Sequence, residues 1–429
     1  MKPDDFLKLK YKPTSNDLIC LFRVEPAAGI RMQKAAANCA LESSIGTWTK
    51  LQTEKDYMKK LAAKVFSIKG NMIKIAYPSE LFEDGNIPNI LSSIAGNIFG
   101  MKIVKNLRLE DIKFPQKLLK GYKGPRYGIE GLRKMMKVKD RPFVGTIVKP
   151  KLGLNSTDHA KVAYDAWIGG CDFVKDDENL SSQKFNQFEK RLAKTLEAAD
   201  KAESITGEKK AYLCNITAES KEMLRRAELI EKQGGKYCMI DILTEGFGAL
   251  QTLREANFKL AIHGHRAMHA AFTRNKKHGI SMMALADFSR IAGIDTLHIG
   301  TGIGKLEGSI KEIHEINEKI EMKEVKEVHD RLNQNWGKIK STMGVSSGGL
   351  HPGYVPFLIK HLGKDLVIQM GGGIHGHPDG TLRGSIAVRQ AVDATLKGIN
   401  LQKYSKDHTE LRRAIELWGV GTNKAGKKK

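Results

Sequence analysis

A small α+β domain of ferredoxin-like kind followed by a (β/α)8 barrel is the architecture this sequence predicts, and three observations predict it. Residues 1–122 mix short strand-like runs with helical patterns. Residues 123–410 repeat a unit of strand, polar or glycine-rich turn, and amphipathic helix. The polar motifs of this second region fall just after its strands, the end of a barrel where eight loops converge. In the first region 18–24 and 72–76 read as strands, and 31–43 and 87–99 as helices. Lys120-Gly121-Tyr122-Lys123-Gly124-Pro125 is punctuated by glycine and proline, which places a linker there. Beyond it eight strands are expected, at 144–149, 173–176, 211–215, 237–240, 260–263, 296–298, 345–347 and 367–370. Strands alternating with helix-length segments predict a parallel sheet, and eight such units fit a closed barrel of about 250 residues. A doubly wound open sheet is the structural alternative. Residues 411–429 read as a basic C-terminal tail.

The totals narrow the function. Of 429 residues, 41% are hydrophobic and 28% charged, the balance of a globular protein and not of a disordered one. The formal charge of +23 suits acidic partners, yet the lysines and arginines are spread along the chain. No zinc-finger spacing or aromatic-rich RNA-binding signature accompanies them, so of nucleic acid, acidic membrane and phosphorylated small molecules the first is not expected, and a solvated basic surface is the reading the charge itself favours. Cys20, Cys39, Cys171, Cys214 and Cys238 form no CxxC pair, as expected of free thiols in a reducing compartment. The first ten residues lack the apolar stretch of a signal peptide, and no run approaches the ~18 apolar residues that span a bilayer. A cytoplasmic enzyme without a membrane partner is expected.

Five constellations carry chemistry. In Gly169-Gly170-Cys171-Asp172-Phe173-Val174-Lys175-Asp176-Asp177-Glu178, strand alternation puts Lys175 and Asp177 on one side, with Glu178 just past the strand end. Two carboxylates suit a hard cation such as magnesium. An ammonium beside that cation is repulsive, whereas a lysine whose neutral amine has captured carbon dioxide supplies a carbamate oxygen. A plain lysine–carboxylate cluster is the bland alternative. Lys149-Pro150-Lys151 places two amines on one face after a buried run, where they bind an anion or repel.

His263-Gly264-His265-Arg266-Ala267-Met268-His269 alternates histidines as a transition-metal site does, but without a cysteine or carboxylate. The second reading has His265 as acid–base and the planar fork of Arg266 on a phosphate, with His263 and His269 structural. Gly300-Thr301-Gly302-Ile303-Gly304-Lys305-Leu306-Glu307-Gly308 is a glycine-rich loop that can carry Lys305 over a ligand. It is not a P-loop, because Leu306 stands where Ser or Thr belongs. Ser346-Ser347-Gly348-Gly349 and Gly371-Gly372-Gly373 follow the last two strands, the usual phosphate site of such barrels. Together they describe a substrate with a phosphate at each end, a metal between, and a lysine lid.

Taken in order, K-P-K-L-G-L, G-G-x-D-F-x-K-D-D-E and G-K-L-E-G resemble the Rubisco (ribulose-1,5-bisphosphate carboxylase/oxygenase) large-chain family, over nearly the whole chain from Glu42-Ser43-Ser44-Ile45-Gly46-Thr47-Trp48-Thr49 to Gly376-His377-Pro378. The compact length resembles the archaeal, form III branch. The resemblance implies carboxylation, with side oxygenation, of ribulose 1,5-bisphosphate to 3-phosphoglycerate. It implies that Lys175 is carbamylated by an activating CO2 and binds Mg2+ with Asp177 and Glu178. Lys149 would be the acid–base lysine with Lys151 beside it, and His265 would move protons at the carbon-3 oxygen. Arg266 and His298 would hold one phosphate. Gly348, Gly349, Gly371 and Gly372, with Thr47, Trp48 and Lys305, would hold the other, and Ser347 a substrate hydroxyl. Lys305 would also steady the new carboxylate. Glu42, Thr47, Trp48 and Asn97 would reach the neighbouring chain's site, which implies a homodimer or an assembly of dimers, with no small subunit. The branch favours nucleotide (AMP) salvage. Ile147 departs from the threonine many members carry there, which bears on specificity. A Rubisco-like enolase or isomerase and a non-enzymatic basic binding protein are the competing readings.

Overall fold

The computed structural model describes residues 1–47, 49, 51–304, 308–328 and 330–421. In the small domain β1 (Asp17–Pro26), β2 (Lys64–Lys69), β3 (Met72–Pro78) and β4 (Val104–Lys113) form an antiparallel sheet in the order β4-β1-β3-β2. Helix Met32–Glu42 lies between β1 and β2 in the chain, and helix Ile87–Ile94 between β3 and β4. This is the βαββαβ plan of a ferredoxin-like domain. Leu18, Cys20, Phe22 and Val24 alternate along β1 and are buried in one cluster with Ala35, Ala36 and Cys39 of the first helix. β2 and β4 were not legible in the sequence. In β4 the charged Arg108 and Asp111 are buried beside Leu107, Leu109 and Ile112, which breaks the apolar alternation a strand normally shows.

The barrel strands are β5 (Phe143–Ile147), β6 (Phe173–Lys175), β7 (Ala211–Asn215), β8 (Tyr237–Asp241) and β9 (Ala261–His265). After β10 (Gly279–Ile280) come β11 (Thr296–His298), a ribbon of β12 (Glu324–Val325) and β13 (Gln334–Asn335), then β14 (Met343–Ser347) and β15 (Leu366–Gln369). Eight of these close a parallel barrel in the order β11-β14-β15-β5-β6-β7-β8-β9. All eight sit where the sequence reading expected strands. β10 leaves the barrel and pairs with β4, so the barrel region adds a fifth strand to the small domain's sheet. The domains are also joined by Lys319, wholly buried, whose ammonium meets Asp111 of β4, the Ile112 carbonyl at 2.9 Å and Asp287 at 2.9 Å.

Strand parity sorts the barrel wall. Val144, Val174, Cys214, Cys238, Ile240, Ile262, Leu297, Leu366 and Ile368 belong to the large cluster that packs under the helices. Phe143, Phe173, Leu213, Tyr237, Met239, Met343, Val345 and Val367 form a separate inner cluster, plugged at the floor by Ile129, Leu132 and Met136 of helix Gly128–Met136. The boundary expected at 410 falls inside helix Thr409–Trp418, with Leu411 and Ala414 buried and its backbone tied to Gln390; residues 422–429 of the expected tail lie outside the described residues. The helix's apolar face is short, which is why it read as tail. All five cysteines are free and buried. Among the described residues no helix is long and apolar enough to cross a membrane.

Candidate active site

The mouth is built by continuing the inner parity two residues past the floor cluster. Phe173 leads to Lys175, Met239 to Asp241, Val345 to Ser347 and Val367 to Gln369, while β9 supplies His263 then His265 and β11 Thr296 then His298. A cleft of about 460 Å³ results, the size that holds a small phosphorylated molecule. Lys149, Lys151, Lys175, Glu178, His265, Arg266, His298, Ser347, Gly348, Gly349, Gly371 and Gly372 line it together. These side chains come from β6, β9, β11 and β14 and from the loops after β5, β6, β9, β14 and β15.

Lys175 is wholly buried; its Nζ donates to the Asp176 carbonyl at 2.7 Å, with Met239 Sδ at 3.2 Å and Glu178 Oε2 at 3.9 Å. Burial pulls its amine below the usual lysine range, against the opposing pull of Glu178, Asp177 and Asp241. Asp177 accepts from Lys149 Nζ at 2.6 Å, and Lys151 Nζ stands 3.7 Å from Asp177 and 3.6 Å from Glu178. Burial would raise Glu178, but Lys175, His265 and Lys151 bring it down to about 2. Asp176, of opposite parity, points outward and accepts from Tyr212 at 2.5 Å, Arg191 at 3.1 Å and the Asn215 amide at 2.9 Å. One segment therefore presents Lys175, Asp177 and Glu178 while Asp176 anchors it. Among the described residues no three carboxylate, imidazole or thiolate groups converge as a metal site. Two carboxylates beside a buried amine whose charge burial disfavours fit a magnesium site only when the amine contributes an oxygen.

The histidines separate by role. His263 is buried with Nδ1 2.8 Å from Thr296 Oγ1 and Nε2 3.0 Å from His298 Nε2, and burial pushes both His263 and His298 well below the ordinary imidazole range. His269 Nδ1 contacts Thr273 Oγ1 at 3.0 Å. His265 Nδ1 faces Asp241 Oδ1 at 3.0 Å, and its Nε2 faces Glu178 at 3.7 Å. Arg266 donates to the Ile299 carbonyl at 3.1 Å, and burial lowers it to about 10. Gly348 and Gly349 take φ of 125° and 71°, backbone that favours glycine, and Gly304 packs so near that a methyl on it would lie 2.8 Å from the Gly348 carbonyl. A methyl on Gly371 would sit 3.2 Å from Lys149 Cε.

Residues 5–118 match the model of the ribulose bisphosphate carboxylase large chain, N-terminal domain, and residues 128–418 that of its catalytic domain. The chain belongs to the Rubisco large-chain family. It is 52% identical to the ribulose bisphosphate carboxylase of Methanocaldococcus jannaschii over 96% of this chain and 100% of that one. It is 49% identical to that of Methanosarcina mazei over 96% and 99%. The dimeric archaeal Rubisco from Hyperthermus butylicus superposes with a TM-score of 0.92 at 47% identity, covering 97% of this chain and 99% of that chain. The octameric Rubisco from Pyrococcus horikoshii, solved with sulfate ion, gives 0.91 at 45% identity, covering 98% of each. The activity is that of a carboxy-lyase, a ribulose bisphosphate carboxylase.

Within this Rubisco chain the small-domain residues stand apart from the mouth. Glu42 ends helix Met32–Glu42, Asn97 is exposed in the turn Asn97–Gly100, and Thr47 borders a separate small pocket with Ile45 and Thr49. Trp48 and Lys305 lie outside the described residues. Sequence reading missed Asp241, because the expected strand stopped at Ile240; one more residue of alternation from Tyr237 and Met239 puts it in the mouth. It also missed Asp176 and His375. His375 is half-buried with Nε2 2.9 Å from both Thr146 Oγ1 and the Ile147 carbonyl, and no strand pattern marks it.

Proposed function

We propose that the mouth joins carbon dioxide and water to ribulose 1,5-bisphosphate, giving two 3-phosphoglycerates, after Lys175 has been carbamylated. What supports this is a buried amine whose charge burial disfavours, set among carboxylates: Nζ can attack carbon dioxide, forming an N–C bond and releasing one proton. Asp177, Glu178 and the carbamylated Lys175 would hold magnesium, which supplies positive charge where the enediolate develops. Lys149 and Lys151, which neutralise Asp177 and Glu178 here, are then released toward substrate, Lys149 to hold or move a proton at the reacting carbons.

Asp241 fixes the His265 ring through Nδ1 and leaves Nε2 for proton transfer at the carbon-3 oxygen. Arg266 and His298 would hold one phosphate. The glycine turns Gly348, Gly349, Gly371 and Gly372, with Thr47, Trp48 and Lys305, would hold the other through backbone N–H groups and positive charge. Ser347 would bind a hydroxyl, and Lys305 would steady the new carboxylate. Glu42, Thr47, Trp48 and Asn97 would complete the mouth of a second copy, so the working unit is a homodimer or an assembly of dimers without a small subunit. Oxygenation is a side reaction of the same enediolate, and nucleotide (AMP) salvage is the pathway we assign. The deciding assay is anaerobic incorporation of labelled carbon dioxide into 3-phosphoglycerate after incubation with bicarbonate and magnesium. Folded, activated protein that forms no labelled product overturns the reading.

A further inference from the structure

We infer that Trp418 is a positioning residue for the phosphate-binding face of the mouth, acting from behind the two glycine loops that form it. The inference rests on the reading of that mouth as a bisphosphate site. The loops after β14 and β15 are not independent. A methyl on Gly373 would lie 2.2 Å from the Leu350 carbonyl and 2.7 Å from His351 Cα, so the two loops pack backbone to backbone. Whatever places one places the other.

Helix Thr409–Trp418 closes the far side of this pair. The Trp418 ring lies 5.8 Å from the His351 ring at 25°, and a methyl on Gly376 would be 3.5 Å from Trp418 Cζ2. One indole thus backs the end of each loop. The chain just beyond is fastened to the same place: the Gly421 amide donates to the Gly353 carbonyl at 3.2 Å, and a methyl on Gly353 would meet the Gly419 carbonyl at 2.1 Å. At the other end of the helix, His377 Nε2 is 3.0 Å from the Glu410 carbonyl.

His351 is the joint between tryptophan and loop. It is buried, its Nδ1 has no hydrogen-bond partner among the described residues, and the Tyr354 ring lies 4.0 Å away, tilted by 39°. Burial lowers its imidazole to about 4, so the ring is neutral in the working range. Ring packing, rather than a directional bond, therefore sets its place. An anion-binding turn works only while its N–H groups converge within about 0.5 Å, so a backing ring of this size sets affinity without touching substrate. The phosphate is bound alike in the ground and transition states. Loosening its turn therefore raises KM and leaves kcat.

The test compares Trp418→Ala and Trp418→Phe in the full chain. For Trp418→Ala, KM for ribulose 1,5-bisphosphate should rise about fivefold with kcat within twofold, and the competitive Ki of inorganic phosphate should rise by the same factor. Trp418→Phe should restore both within about twofold, because a flat ring is what the site needs. An unchanged KM and Ki in folded Trp418→Ala overturns the inference, as does a loss confined to kcat or a failure of Phe to rescue. If the alanine variant does not fold, Trp418→Leu carries the same comparison, keeping bulk and losing the ring. Calorimetric Kd for ribulose 1,5-bisphosphate needs no turnover. A wild type that binds it, with the variant weakened, but fixes no carbon dioxide sinks the carboxylase reading alone; a wild type that does not bind it sinks both.

Discussion

The two ends of the barrel handle buried charge in opposite ways. At the floor Asp295 accepts from the amides of Tyr127 at 2.7 Å, Gly128 at 3.1 Å and Ile262 at 3.0 Å, and Asp172 takes both forks of Arg141 and the Val144 amide. Asp295 is thus held by backbone and Asp172 by a guanidinium and backbone. At the mouth Asp177 and Glu178 are met by flexible lysine ends, and Lys175 is buried with a carbonyl and a thioether for company. The floor holds structure; the mouth holds charges whose partners can be exchanged. Stability and activity should therefore separate along the barrel axis.

Lys175→Ala is the strongest way to break that contrast. Turnover should fall below detection, and the thermal midpoint should change little, because the amine removed is one whose charge burial already disfavours; residual carboxylation in the labelling assay would refute the role given to this amine. Asp295→Ala should do the reverse. Three buried N–H groups lose their acceptor, and stability should drop by about 3 kcal/mol in denaturant titration while kcat per folded molecule holds. A kcat that falls with it would mean the floor also governs chemistry.

Asp241→Asn sharpens the comparison at the mouth. Losing the carboxylate on His265 Nδ1 should lower kcat about tenfold with KM within twofold, and should shift the pH profile; an unchanged profile would leave the His265 ring oriented by something else. Glu321, on the floor side, gives the smallest effect. Burial first, then Asp365, pushes its carboxyl from 4.5 up to about 7. A carboxyl raised on folding stabilises below its unfolded value and loses that contribution as pH rises through about 7. Glu321→Gln should flatten the fall in Tm between pH 5 and 8 by about 2 °C, and a curve parallel to wild type would count against it.

The fold was legible where one pattern was uninterrupted. The eight barrel strands are buried segments bounded by glycine or polar turns, most of them carrying an apolar run, so their positions could be read. β4 could not, since Arg108 and Asp111 are buried there for partners about 165 and 208 residues away in the chain, which no local window contains. The mouth was legible through its motifs, and parity alone explains why Lys175 and His265 face inward together. His375 and Trp418 act through neighbours brought together only by closure of the barrel. Neither carries a local mark.

One further consequence follows from the pairing of β10 with β4. When the ribosome has released β4, its outer edge is open, and the strand that covers it has yet to be made. At ordinary elongation rates that wait is on the order of ten to thirty seconds. An open edge is a template for the wrong strand, from the same chain or another. Arg108 stands at the very position Gly279 will pair with, and it later donates to the Thr273 and Asn275 carbonyls at 3.2 and 2.7 Å. The charge at that edge position ends as a buried tether, holding the later segment against the strand it covers.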